Sequence, residues 1–222
     1  MEGISGKSAI IFGASGFIGS YLMDELLRDP DYGQITVVVR KSLNVSHPKL
    51  KILIGNYQTL PDLKDQMVAD EIYIALGTTK QNTPDQAEYY QVDHDYPVLA
   101  TKIAKENGAK SVLIVTAVGS KTGSNVFYIR TKGETERDII ALNLEHTYIF
   151  RPSMLMGNRK ESRSLEKFLI NVFSLLNPLF VGPMQKYRGI EGKDVAKAMI
   201  QAAKRASEKV KIYEWKEMNP LL

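Results

Sequence analysis

The sequence predicts an α/β protein: a doubly wound parallel sheet with helices on both faces, followed by a small carboxyl-terminal lobe at residues 157–190. Three observations predict it. Short apolar runs alternate with segments of helical periodicity, joined by short connections, from residue 8 to residue 150. A glycine-rich turn, G-A-S-G-F-I-G at 13–19, joins the first apolar run to the first helical segment. A length of 222 residues suits one substantial core rather than two independent domains, so 1–222 is read as one domain.

Each element has its own signal. Residues 9–12 read as a buried strand, and Gly13 ends it where the backbone turns sharply. The helix that follows carries Ile18, Tyr21, Leu22 and Leu26 on one face and stops near Arg28-Asp29-Pro30. Strands are predicted at 35–39, 50–54, 71–75, 111–115, 146–150 and 210–215, with a short helix at 61–67. Thr83-Pro84 reads as the cap and first turn of a long helix over 84–107 that Pro97 must kink, and Asn107-Gly108 as its stop. Val92, Leu99, Ile103 and Ala104 form its buried stripe. A last helix reaching residue 206 is expected, with Val195, Ala198, Met199 and Ala202 inward.

Composition narrows the classes. Lysine and arginine exceed the acids by four, giving a sequence pI near 9.0, but the excess is dispersed and no basic stripe suggests a nucleic-acid partner. Cysteine is absent, which removes disulfides and thiol nucleophiles and fits a reducing cytoplasm. The three histidines have no ligand spacing, so no metal site is expected. No apolar run is long enough to predict a transmembrane segment, and the opening M-E-G-I-S-G-K-S does not read as a signal peptide. A cytoplasmic protein is therefore expected.

The glycine turn suggests the ligand. The free N–H groups of a helix's first turn, with the helix dipole behind them, hold a diphosphate without a lysine. Gly16 lets backbone approach that ligand and Gly19 lets helix and strand pack closely. Gly13, Ser15, Gly16, Phe17 and Ile18 are therefore candidate cofactor residues of a Rossmann-type dinucleotide site. The second strand ends in V-V-V-R-K, where an acid would select NAD; Arg40 and Lys41 instead suit a 2′-phosphate and favour NADP, as NADPH, over NAD. Asn56 either frames the adenine or serves a turn, while Ala75, Leu76, Gly77 and Thr78 are expected beneath the centre of the cofactor.

Chemistry is expected in T-A-V-G-S-K-T-G-S-N-V-F-Y-I-R-T-K, residues 116–132. Tyr128 and Lys132 are four apart and share a helix face, so the ammonium can stabilise a phenolate and let the pair move protons. The G-x-x-G-x-x-G turn, this Y-x-x-x-K pair and the segment R-P-S-M-L-M-G at 151–157 together resemble the short-chain dehydrogenase/reductase superfamily. A-L-G-T-T-K, V-D-H-D-Y and N-V-F-Y-I-R-T-K-G-E-T-E look most like its atypical branch, which contains the Tat-interacting protein and bacterial relatives. The resemblance implies that Tyr128 exchanges a proton with the substrate oxygen and that Lys132 tunes it and binds the nicotinamide ribose. It also implies that Thr116 orients the substrate, that the backbone of Arg151, Pro152, Ser153 and Met154 passes the nicotinamide, and that Asp194 caps the last helix. Ala117 departs from the pattern, since many relatives carry a second hydroxyl there; Ser120 and Ser124 are nearby alternatives.

In the lobe, Arg159, Lys160 and Arg163 read as a solvated basic loop. The apolar stretch 165–181 reads first as core, and part of it could line a substrate pocket or bind a protein partner, a second copy or a membrane surface. The functional expectation is an NADP-dependent oxidoreductase acting on a small carbonyl or alcohol. Its alternatives are a non-catalytic NADP-binding regulatory or scaffold protein and, less favoured, an epimerase or dehydratase.

Overall fold

Alternation inside the apolar runs decides the architecture, because neighbouring side chains of a strand face opposite layers. The computed structural model describes residues 6–157 and 182–222. Among these, the strands are β1 (Lys7–Phe12), β2 (Tyr32–Val39), β3 (Leu50–Ile54), β4 (Glu71–Ile74), β5 (Ser111–Val115), β6 (His146–Phe150), β7 (Leu155–Met156), β8 (Ile190–Glu191) and β9 (Val210–Tyr213). The α-helices are α1 (Phe17–Arg28), α2 (Gln86–Tyr90), α3 (Tyr96–Glu106), α4 (Phe127–Ala141), α5 (Gly192–Lys204) and α6 (Trp215–Met218). Seven strands form one sheet in the order β3-β2-β1-β4-β5-β6-β9, every pairing parallel. In β1, Ala9 and Ile11 join one core with Leu22 and Leu26 of α1 and Val195 and Met199 of α5. Ile10 and Phe12 join the other, with Ala100 and Ile103 of α3 and Ile139 of α4. This is the predicted Rossmann-type fold.

The chain moves outward from β1 to β3, then restarts at β4 on the other side of β1. The crevice outside the carboxyl ends of β1 and β4 is thus the switch point, where this topology binds ligands. Gly13 and Ala75 both lie there.

The helix before β5 departs from expectation in an informative way. Its cap is Asp85, whose carboxylate accepts the Ala87 and Glu88 N–H groups at 2.9 Å, and not Thr83. Pro97 has no N–H to give to the Asp93 carbonyl. Gln91–Asp95 therefore forms a π turn, in which Tyr96 N–H donates to Gln91 O, and Thr135 of α4 donates its hydroxyl to Asp93 O at 2.9 Å. The stop is as predicted: Gly108 (φ +97°) donates to Lys105 O and Ala109 to Ala104 O, both at 2.9 Å. Asp194 does not cap α5, which starts at Gly192 with Glu191 before it; Asp194 lies in the first turn.

At the far end of the sheet, Glu71 is buried and accepts from Tyr32 Oη at 2.6 Å, Tyr73 Oη at 2.8 Å and Lys7 Nζ at 2.8 Å. Burial and the adjacent carboxylate push both phenols well above their ordinary pKa. Glu71→Ala leaves the buried Tyr32 and Tyr73 hydroxyls only each other, at 2.8 Å, and strands the donor that the pair cannot use. It is expected to lower the unfolding free energy by about 3 kcal/mol in urea titration while leaving nucleotide affinity unchanged.

Candidate active site

Two backbone approaches build the glycine turn. Gly13 has φ +85°, and a Cβ on it would lie 2.5 Å from Ala75 O; a Cβ on Gly19 would lie 2.0 Å from Gly13 O. Neither position admits a side chain. Gly16 donates its N–H to Gly13 O at 2.9 Å and precedes α1, whose N-terminus has no side-chain cap and no acid in its first turn. Those donors and the dipole fit a diphosphate.

A cavity of about 700 Å³ opens from this turn. The glycine turn contributes Gly16, Phe17 and Ile18, and the stretch after β4 contributes Ala75, Leu76, Gly77 and Thr78. Thr116, Tyr128 and Lys132 complete the part of its wall named from sequence. Gly133 fixes how α4 meets this wall, since a Cβ on it would lie 2.4 Å from the Lys121 carbonyl carbon. Tyr128 is 41% exposed and reachable from the cavity.

Lys132 is buried and forms an ion pair with Asp93, which is buried too and accepts the Thr78 N–H at 2.9 Å through Oδ2. Tyr89 also lines the cavity, donating to Thr78 O at 3.2 Å; burial and the nearby Asp93 charge hold its phenol well above the ordinary value. It stays protonated at neutral pH and is no rival base.

Thr116 is engaged differently from expectation. Its hydroxyl donates to Glu136 Oε1 at 2.6 Å, so it offers the cavity a lone pair and not a hydrogen. The same carboxylate takes Nε of Arg151 at 3.0 Å and an Nη at 2.5 Å. The Arg151 guanidinium is thus a fork on Glu136. Ser120 donates to Ala117 O at 2.7 Å and Ser124 accepts the Val126 N–H at 3.1 Å, and neither lines the cavity.

Other sequence candidates lie outside the cavity wall. Gly13 and Ser15 belong to the turn behind it, and Arg40 and Lys41 are exposed at the end of β2. Arg40 is close enough to Tyr96 to oppose the burial that pushes its phenol up to about 12. Asn56 serves a turn: its side-chain oxygen accepts the Thr59 N–H at 3.1 Å. Pro152 O accepts the Val118 N–H at 3.0 Å, Ser153 Oγ donates to Arg188 O at 2.5 Å, and Met154 O accepts the Ile190 N–H at 3.0 Å. With the β7–β8 pair, the Ser153 and Met154 bonds clasp the start of the 157–190 excursion to its end. Arg159, Lys160, Arg163 and the apolar stretch 165–181 fall outside the described residues.

Sequence reasoning missed Asp93 and Glu136. Both had a signal: Glu136 is four residues after Lys132, on the same helix face, and Asp93 is four before Pro97, on the face that also carries Tyr89 and Ala100.

An uncapped helix N-terminus at the switch point, facing a Tyr-x-x-x-Lys helix across one cavity, is the layout of the short-chain dehydrogenase/reductase superfamily. The chain belongs to the NAD(P)H-binding family, whose family model matches residues 13–206. Protein FMP52, mitochondrial, of Candida albicans is 35% identical over 163 residues, covering 71% of each chain. Its namesake in Candida glabrata is 29% identical over 209 residues, covering 93% of this chain and 89% of its own. Among solved structures, UDP-N-acetylglucosamine 4-epimerase from Methanobrevibacter ruminantium aligns with a TM-score of 0.69 at 18% identity, covering 95% of this chain and 77% of its own. That likeness speaks for the fold alone. The cytoplasmic expectation is corrected by the relatives, which are named as mitochondrial proteins. Family membership makes NAD(P) the cofactor class.

Gly19→Ala is expected to push α1 off the turn and to weaken NADPH binding at least tenfold by calorimetry, about 1.4 kcal/mol, with the sheet still folded by circular dichroism.

Proposed function

We propose that the protein is an NADP-dependent oxidoreductase interconverting a small carbonyl compound and its alcohol. What carries the reading is that Tyr128 and Lys132, one turn apart on α4, share a cavity with the α1 N-terminus and Gly77. The exposed Arg40 and Lys41 at the end of β2 support NADP over NAD, since a guanidinium pairs with a 2′-phosphate.

When bound, NADPH supplies hydride from its nicotinamide ring. Tyr128 donates its phenolic proton to the carbonyl oxygen as the new C–H bond forms, leaving a phenolate that Lys132 stabilises and water reprotonates. Thr116, with its hydrogen held by Glu136, accepts a hydrogen bond and so suits the alcohol better than the carbonyl. The first-turn N–H groups of α1 would hold the diphosphate, which Gly16 leaves room to approach, and Gly77 keeps the path above Lys132 clear.

A non-catalytic NADP-binding regulator is the rival, favoured by Ala117 and by the engagement of Thr116 with Glu136. A panel of aldehydes, ketones and alcohols, followed by nicotinamide absorbance, separates the two. The wild type is expected to turn over at least one class, and Tyr128→Phe to lose about a hundredfold or more in kcat with NADPH affinity retained. Tight NADPH binding without turnover of any compound would overturn the enzyme reading in favour of the regulator.

A further inference from the structure

The deepest polar feature of the cavity is the least explained by the chemistry above. Asp93 is 1% exposed, and a buried carboxylate is costly unless something answers it. Its Oδ2 accepts the Thr78 N–H at 2.9 Å, and Oδ1 faces Lys132 Nζ with no well-aligned hydrogen-bond donor on it among the described residues. Asparagine could accept the same N–H. What an amide lacks is the charge.

The local fold places that charge deliberately. Pro97 opens the π turn that holds residue 93, and Thr135, three residues after Lys132 on α4, donates to the Asp93 carbonyl. Carboxylate and ammonium are therefore held by elements tied to each other. The pair lies directly beneath Gly77, where a Cβ would be 3.6 Å from Asp93 Oδ1 and 3.8 Å from Lys132 Nζ. Tyr128 stands one turn before Lys132.

We propose that Asp93 is a positioning residue for Lys132: it fixes the ammonium beneath Gly77 and offsets its charge as felt at Tyr128. The proposal rests on the reading of Tyr128 as the proton donor. A phenol beside an unmasked ammonium would ionise readily and leave less of the protonated form needed to reduce a carbonyl. With Asp93 in place, Tyr128 stays a proton donor at neutral pH, and Lys132 acts mainly once phenolate develops. Among the described residues, the other titratable side chains that line the cavity are Tyr89 from α2, which stays protonated, and Lys80 in its exposed wall. Glu136, one turn beyond Lys132, is tied to Arg151 and Thr116.

The test is a pH titration of the Tyr128 ring by NMR, using isotope-labelled tyrosine in the full chain, with Tyr128→Phe to assign the signal. Asp93→Asn is expected to lower the Tyr128 midpoint by about one pH unit or more, and an unchanged midpoint overturns the proposal. If Asp93→Asn does not fold, the double variant Asp93→Asn with Lys132→Met decides. It removes both charges, so a masked lysine predicts a Tyr128 midpoint close to wild type. A rise of about one unit or more would show that Lys132 acts unmasked and would overturn the proposal. The readout needs no substrate, so a shifted Tyr128 in a protein without turnover leaves this inference standing while the oxidoreductase reading falls.

Discussion

The rest of the site depends on one steric fact: α1 touches the turn after β1 so closely that Gly19 has no room for a side chain above the Gly13 carbonyl. That approach aims the first-turn N–H groups into the crevice with no side chain to satisfy them. The turn is held from the other side as well, since Gly13 packs on the Ala75 carbonyl after β4. Strand order and ligand site are therefore one constraint. Only where β1 and β4 lie side by side, with their connections leaving in opposite directions, does the crevice exist.

Buried charge is arranged differently at the two ends of the sheet. At the amino end, Glu71 accepts from Tyr32, Tyr73 and Lys7, far from the crevice, so it fixes strands and leaves the ligand site alone. At the carboxyl end, Asp93 and Glu136 are also buried, but each holds a cation of the site region: Lys132 in one case and Arg151 in the other. Glu136 further holds the hydrogen of Thr116. The carboxylates at this end thus set what neighbouring groups can offer a ligand: a fixed ammonium and a threonine that accepts.

Local features were legible in the sequence. The glycine turn, the stop at Gly108 and the one-turn spacing of Tyr128 and Lys132 each depend on residues within a few positions of one another. Tertiary features were not legible. Nothing near Thr116 in sequence says that its hydroxyl meets Glu136, twenty positions on, and nothing near Asp93 says that a lysine from α4 will bury against it. Thr83-Pro84 looked like a cap because the pair fits one, but Asp85 reaches two N–H groups and wins. The first two strands are read as starting at residues 9 and 35, whereas Lys7 and Tyr32 already lie in the sheet, held by their pairing with each other. Lack of cysteine constrains thiol chemistry and carries no cellular address, which is why the cytoplasmic inference failed against the mitochondrial relatives.

Calorimetric titration of the purified protein with NADPH and NADH, repeated on Arg40→Asp, tests the account at its centre. It predicts that NADPH binds more tightly than NADH and that Arg40→Asp abolishes the difference by weakening NADPH alone. Equal affinities insensitive to Arg40 would contradict the 2′-phosphate assignment, and no heat from either nucleotide would contradict the glycine turn as a working cofactor site.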